Sequence, residues 1–192
     1  RAGITASTPD PIGGVIVRDR HGEPTGLLLE AAVAVATQAI PEISYLERRS
    51  AIATAQADLL ARGIVSLTDP GLGPGAGTLL DGTGTLAAIE AYRELAATGD
   101  LQIRTHLMLL FGGLGGTTAE AVAHGLDDWG PPMRADRVSR LSIDQVKVFA
   151  DGIPRSRTSW VSEPYDDCTH GHLTVAGTTD DERVAELYAI IA

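Results

Sequence analysis

Apolar patterning that switches repeatedly between helical and strand-like periods constrains this sequence more than any other feature. From Ser44 the period is helical: Ser44 and Glu47 have capping-box spacing, Leu46, Ile52, Leu59 and Leu60 recur at helical intervals, and Gly63 suits the position just past a helix end. GIVSLTD at 63–69 follows as a β-branched run closed by Asp69-Pro70-Gly71, which predicts a strand. LAAIEAYRELAATGD then reads as a helix ending near Gly99, LQIRTHLMLLF at 101–111 as a strand, TTAEAVAHGLDDW as a helix and SIDQVKVFA at 142–150 as a third strand. Thr179 with Glu182 offers another capping box, ahead of an amphipathic run through Val184, Leu187, Ile190 and Ile191. Strands alternating with helices imply parallel βα units, so the expected fold class is α/β. Three such strands are too few to close a barrel, and the expectation is part of a (β/α)8 TIM-type barrel. A doubly wound open sheet is the alternative, although its usual first-turn phosphate fingerprint is missing.

Ahead of this region, GGVIVRDRHGEPTGLLLE at 13–30 places two apolar runs around a polar stretch with Gly22 and Pro24, a hairpin pattern. The expected division is therefore 1–42, an insert or β-hairpin segment, and 43–192, a partial (β/α) barrel. The sequence opens on Arg1 and stops inside an amphipathic pattern, as an internal piece of a longer polypeptide would.

With 192 residues, 44% of them hydrophobic, there is enough chain to bury a sizeable core. A formal charge of −10 and the lack of any basic run argue against nucleic-acid binding, which draws its affinity from clustered Lys and Arg. Leu107 to Leu114, the longest strongly apolar stretch, falls far short of the ~20 residues of a spanning helix, so no membrane partner is expected and the reading is cytoplasmic. Cys168 is the single cysteine and has no internal disulfide partner.

In SIDQVKVFADG, strict alternation puts Ile143, Gln145, Lys147, Phe149 and Asp151 on one face, and Lys147 mid-strand and inward. An ammonium there is costly unless paired, so Lys147 is a functional group, half of an ion pair, or an edge lysine whose head snorkels to water.

The stretch QVKVFADGIPRSRTSWVSEPY at 145–165 resembles the metal-dependent amidohydrolase superfamily, in its family-three subgroup, in a lysine followed by two hydrophobic residues, Ala-Asp-Gly, Ser-Arg-Thr and Pro-Tyr. DPIGGVIVRDRHGEPTGLLLEAA at 10–32 is similar to the insert after that family's first barrel strand, and LLARGIVSLTDPG at 59–71 to its second-strand segment. The resemblance implies about strands two to four of the barrel, with an N-terminal β-hairpin insert. It further implies hydrolysis of carbon–nitrogen, amide-type bonds in a small-molecule substrate, with Lys147 carboxylated and bridging divalent metals, zinc being the expected ion. The family's other ligands, a His-x-His on the first strand, histidines on the fifth and sixth and an aspartate on the eighth, match no segment of this sequence, so this piece alone is expected to be inactive.

Asp151 is a candidate catalytic carboxylate, with loop capping as its alternative; Asp69 is read as a loop cap. Arg155 and Arg157 are candidate substrate-binding residues. His170-Gly-His172, beside Asp166, Asp167 and Cys168, imitates a metal motif but follows Lys147 rather than preceding it, and reads as a loop. His106 reads as a satisfied interior histidine. GLGPGAG and FGGLGG lack the context of nucleotide loops and read as mobile loops at the active face. The competing reading is a non-catalytic α/β module whose open sheet edges associate, with a homo-oligomer through those edges as the partner it implies.

Overall fold

A computed structural model describes all residues except 1, 12, 13, 31, 38, 42, 79–83, 114, 115, 137, 138 and 167–169. The chain forms two compact units, the first ending at Ser44 and the second beginning at Tyr45.

In the first unit, β1 (Gly14–Arg18) and β2 (Pro24–Glu30) pair antiparallel, with Val15 opposite Leu29 and Ile16 opposite Leu28. This is the hairpin expected from 13–30, of which Gly13 lies outside the described residues. Its turn is set by Asp19, whose Oδ1 accepts the N–H groups of His21 (2.8 Å) and Glu23 (3.0 Å), and by Gly22 at φ 83°. Asp10 ties down the incoming chain, accepting from Ile16 N–H (3.1 Å) and Arg18 Nη1 (2.8 Å). Those bonds hold the Asp10 carboxyl below its ordinary range, the Arg18 hydrogen bond acting most strongly. A short helix, α1 (Val33–Thr37), follows.

The second unit alternates as expected: α2 (Tyr45–Ala61), β3 (Ser66–Leu72), α3 (Leu86–Thr98), β4 (Arg104–Leu109), α4 (Ala119–Trp129), β5 (Leu141–Val146) and α5 (Asp180–Ile191). The three strands form a parallel sheet in the order β3-β4-β5. Helix ends obey local chemistry. Gly63 takes φ 79° after α2, and Ile64 N–H reaches back to Leu59 O (3.0 Å). Thr179 and Glu182 form the anticipated capping box of α5.

Three strand boundaries depart from the sequence reading. β3 starts at Ser66 and runs through Asp69-Pro70-Gly71 to Leu72, because it is an edge strand of this sheet, where a proline costs no ladder bond. β4 is shorter than 101–111, and β5 stops at Val146 rather than 150, since beyond Leu109 its neighbour β4 no longer runs alongside it. Lys147 is thus not mid-strand. It is the first residue past β5, its N–H still donating to Leu109 O (2.8 Å).

One face of the sheet carries the core. Leu72, Leu107, Leu109, Leu141 and Ile143 pack with Ala88, Ile89, Tyr92 and Leu95 of α3 and with Leu101. Alternation along β5 is broken by a bulge: Ile143 pairs with Leu107 but Gln145 with Met108, leaving Asp144 as the extra residue. Ile143, buried in the core, therefore does not share a face with Lys147 as strict alternation required. Val146 pairs with Leu109 on the core side, so Lys147 follows onto the opposite face, with Gln145, Met108 and His106.

The outer edge of β5 is not bare. Met133 N–H donates to Ile143 O (2.9 Å) and Ile143 N–H to Met133 O (2.7 Å). The first glycine-rich stretch is likewise packed rather than loose: Gly73, Gly75 and Ala76 are buried, and Gly75 N–H donates to Leu110 O (2.9 Å). Residues 79–83 beyond it, and 114–115 within the second stretch, lie outside the described residues.

Candidate functional site

Ligands of parallel α/β sheets gather at the carboxyl ends of the strands, and Lys147 stands there, immediately after β5. It is half-buried, and its Nζ lies 4.6 Å from the centroid of the Phe149 ring. Among the described residues no carboxylate pairs with it, so the ion-pair alternative finds no support. Lys147 is also the only lysine in the sequence; every other permanent side-chain cation is an arginine. The sole primary amine on a side chain thus sits at the end of the central architecture.

The segment after Lys147 is a built loop. Asp151 Oδ2 accepts from Ser159 Oγ (2.7 Å) and from Trp160 N–H (2.9 Å), closing residues 151–160. Gly152 and Gly171 let the two arms approach: a Cβ on Gly171 would lie 2.1 Å from Ser159 O, and one on Gly152 would lie 2.3 Å from Thr158 Oγ1. Tyr165 Oη donates to Ser159 O (3.1 Å), and Val161 N–H to His170 O (3.0 Å). Asp151 is therefore engaged as a loop tie, the alternative left open by the sequence. Arg155 is exposed, and Arg157, held in the left-handed region at φ 58°, places Nη2 3.9 Å from Asp166.

Asp69 is removed from Lys147. Opposite Leu107, it faces the helix side of the sheet, where its charge acts on Tyr92. His106 is satisfied as expected: its Nε2 is 2.7 Å from Asp144 Oδ1, with Arg134 Nε 3.6 Å from the other carboxylate oxygen. Sequence reasoning missed Asp144 in this role, because only the bulge turns it toward His106.

Among the described residues His170 and His172 join no metal site. His170 Nδ1 is 3.1 Å from Val161 O, while Asp167 and Cys168 lie outside the described residues. Among the described residues no three His, Cys, Asp or Glu side chains converge as a metal site would require. At the opposite, amino ends of the strands, an open cavity of about 330 Å³ is bordered by Arg49, Gln56, Asp100 and Gln102. Its polar groups bind one another, which gives it a structural rather than chemical part: Arg49 pairs with Asp100 (3.0 Å), and Gln56 Oε1 accepts Gln102 N–H (2.7 Å).

Comparison with known proteins decides the family, since a family model described as the amidohydrolase family matches residues 1–192. The chain belongs to the amidohydrolase family. It is 33% identical over 172 residues to YtcJ of Bacillus subtilis (strain 168), a protein named as an amidohydrolase, covering 86% of this chain and 28% of that protein. It is 46% identical over 70 residues to the protein LONG AFTER FAR-RED 3 of Arabidopsis thaliana, covering 36% of this chain and 12% of that protein. An uncharacterized metal-dependent hydrolase of Pyrococcus furiosus has a similar fold, with a TM-score of 0.58 at 23% identity over 97% of this chain and 34% of that one. A second, from Pyrococcus horikoshii OT3, gives 0.57 at 23% identity over 91% and 31%. The chain spans about a third or less of the length of each of these proteins.

For a metal centre the fit is partial. Lys147 would supply one donor at the carboxyl end of the sheet, but a single amine closes no coordination sphere, and the described residues offer no second and third ligand beside it. No chemical step can therefore be routed through a metal held by this chain's described residues.

Proposed function

We propose that the chain forms about strands two to four of a (β/α)8 barrel hydrolase acting on carbon–nitrogen, amide-type bonds, and that Lys147 is its contribution to a divalent-metal centre. The observation that carries this is the placement of the sole lysine at the carboxyl end of β5, half-buried and without a carboxylate partner among the described residues. Once the ammonium has lost a proton to solvent, the neutral amine can add to carbon dioxide, forming an N–C bond and releasing a second proton, so that a cation becomes a two-oxygen anionic donor. Divalent metal, zinc by the usual preference, would supply water activation and carbonyl polarisation when the remaining ligands are present.

The chain's own residues do the rest. The Asp151 tie holds the loop that follows Lys147 in one shape, and that loop offers Arg155 and Arg157 toward a small polar or acidic substrate. No helix among the described residues is long and apolar enough to cross a membrane. Association through sheet edges has less to stand on, since Met133 occupies part of the β5 edge.

The test uses the complete barrel protein that contains these strands, with the remaining ligand-bearing strands present, supplied with ¹³C-bicarbonate and zinc. One side-chain carbamate carbon resonance is expected, and Lys147→Met should remove it together with bound metal. Full metal content and unchanged amide hydrolysis in Lys147→Met would refute the assignment.

A further inference from the structure

Residues His172–Gly177 cross the carboxyl ends of β4 and β5. Thr174 N–H donates to Ala150 O and Thr174 Oγ1 to Phe149 O, both at 2.8 Å, just beyond Lys147. On the other side Gly116 N–H donates to Thr174 O (2.6 Å) and Ala176 N–H to Thr117 O (3.0 Å). This segment, Gly116 and the first turn of α5 border an open cavity of about 400 Å³. Its charged or ionisable side chains among the described residues are His172 and Arg183, with no described carboxylate lining it, although the chain carries −10 overall.

Arg183 is fixed rather than free. Its side chain is 25% exposed, and a Cβ on Gly177 would lie 2.8 Å from Arg183 Cγ, so the glycine lets the arginine stem lie against the backbone. Of the acids in the same turn, Asp180 engages Arg183 Nη1 and Glu182 turns to the backbone. Asp180 sits 3.3 Å from Arg183 in an exposed pair that bulk water weakens, and Glu182 Oε2 accepts the Thr178 and Thr179 N–H groups at 2.8 and 3.2 Å. Asp181 is exposed.

We infer that the cavity bordered by Arg183 and His172 is a carboxylate subsite, and that the substrate of the hydrolase is an amide bearing a carboxylate. With Nη1 taken by Asp180, the guanidinium still offers Nη2 and Nε, a planar pair of donors that matches a carboxylate, and His172 lines the same cavity. The functional meaning rests on the hydrolase reading above, because it places this cavity on the face where such enzymes bind substrate. Binding of an anion does not depend on that reading.

The probe is N-acetylglycinate, titrated into ¹⁵N-labelled protein at fixed ionic strength, with N-acetylglycinamide as the neutral control. Saturable shifts confined to 172–177 and the first turn of α5 are expected with the carboxylate and absent with the amide. Arg183→Gln should weaken binding about tenfold, the loss of a charge-assisted hydrogen bond, and Arg183→Lys should restore part of it. Unperturbed amide signals elsewhere would show that both variants fold. Shifts that never saturate, that the neutral amide reproduces, or that survive Arg183→Gln would each overturn the subsite. Lys147→Met, run in the same titration, should bind the probe normally while losing the carbamate signal, so failure of the subsite and failure of the metal reading are told apart.

Discussion

Asp69 of β3 and Tyr92 of α3 share the helix side of the sheet, where burial first and the Asp69 charge second push the Tyr92 phenol up to about 12. A raised pKa favours the protonated phenol in the folded state. The resulting stability is complete below the unfolded tyrosine value near 10 and is lost as pH climbs toward about 12. Two units correspond to ~3 kcal/mol as an upper limit. Urea unfolding followed from pH 8 upward should show the wild-type protein losing stability faster than Tyr92→Phe. Parallel curves for the two proteins would rule out this coupling.

Gln56 is the one buried residue of α2, and it seats that helix on the strand entry: its Oε1 accepts from Gln102 N–H (2.7 Å) and Ile103 N–H (3.3 Å). Gln56→Ala leaves two backbone donors without their acceptor at a site only 4% exposed. The expected loss is ~2–3 kcal/mol in chemical denaturation, as for other buried groups stripped of a partner. A loss below ~0.5 kcal/mol would mean that water replaces the amide, which the burial argues against.

The order of helices and strands was legible because each element carries its own period and its own caps, as Gly63 and the Thr179–Glu182 box show. What was not legible follows from pairing. Whether β5 reaches Lys147 depends on where β4 ends, and which face Ile143 takes depends on a bulge at Asp144; neither is encoded in the period of the strand itself. The cavity at Arg183 was hidden for a similar reason. It is assembled from Gly116 and residues 172–177, segments joined only by backbone hydrogen bonds that any side chains could make.

Glycines read as signs of mobility prove to be points of contact. A Cβ on Gly75 would lie 2.3 Å from Gly112 O, where two backbones touch, whereas one on Gly116 meets nothing within 4 Å and is disfavoured only by φ 72°. Gly75→Ala should therefore cost ~3 kcal/mol and Gly116→Ala ~1 kcal/mol. Thermal unfolding of the pair checks the order; equal losses would return this stretch to the status of a loose loop.

Asp151 tests whether the loop or the chemistry needs the carboxylate. Asp151→Asn can place its amide oxygen where Oδ2 accepts from both Ser159 Oγ and Trp160 N–H but lacks the charge that strengthens both bonds. Hydrogen exchange should accelerate at Trp160, with stability falling by ~1–2 kcal/mol. Protection unchanged in the variant would free Asp151 for a purely chemical part.

Lys147→Met separates structure from function most directly. An amine holding a buried ion pair would cost ~3–5 kcal/mol to remove, because its partner would be left unpaired in the interior. Lys147 has instead the Phe149 ring at 4.6 Å, a contact of ~0.5–1 kcal/mol where water has access. Methionine keeps much of the stem and packs on the same ring. The variant should therefore unfold within ~1 kcal/mol of wild type while the carbamate resonance and bound metal disappear. A large stability loss would make Lys147 a structural residue, and the argument from its position at the end of β5 would no longer point to chemistry.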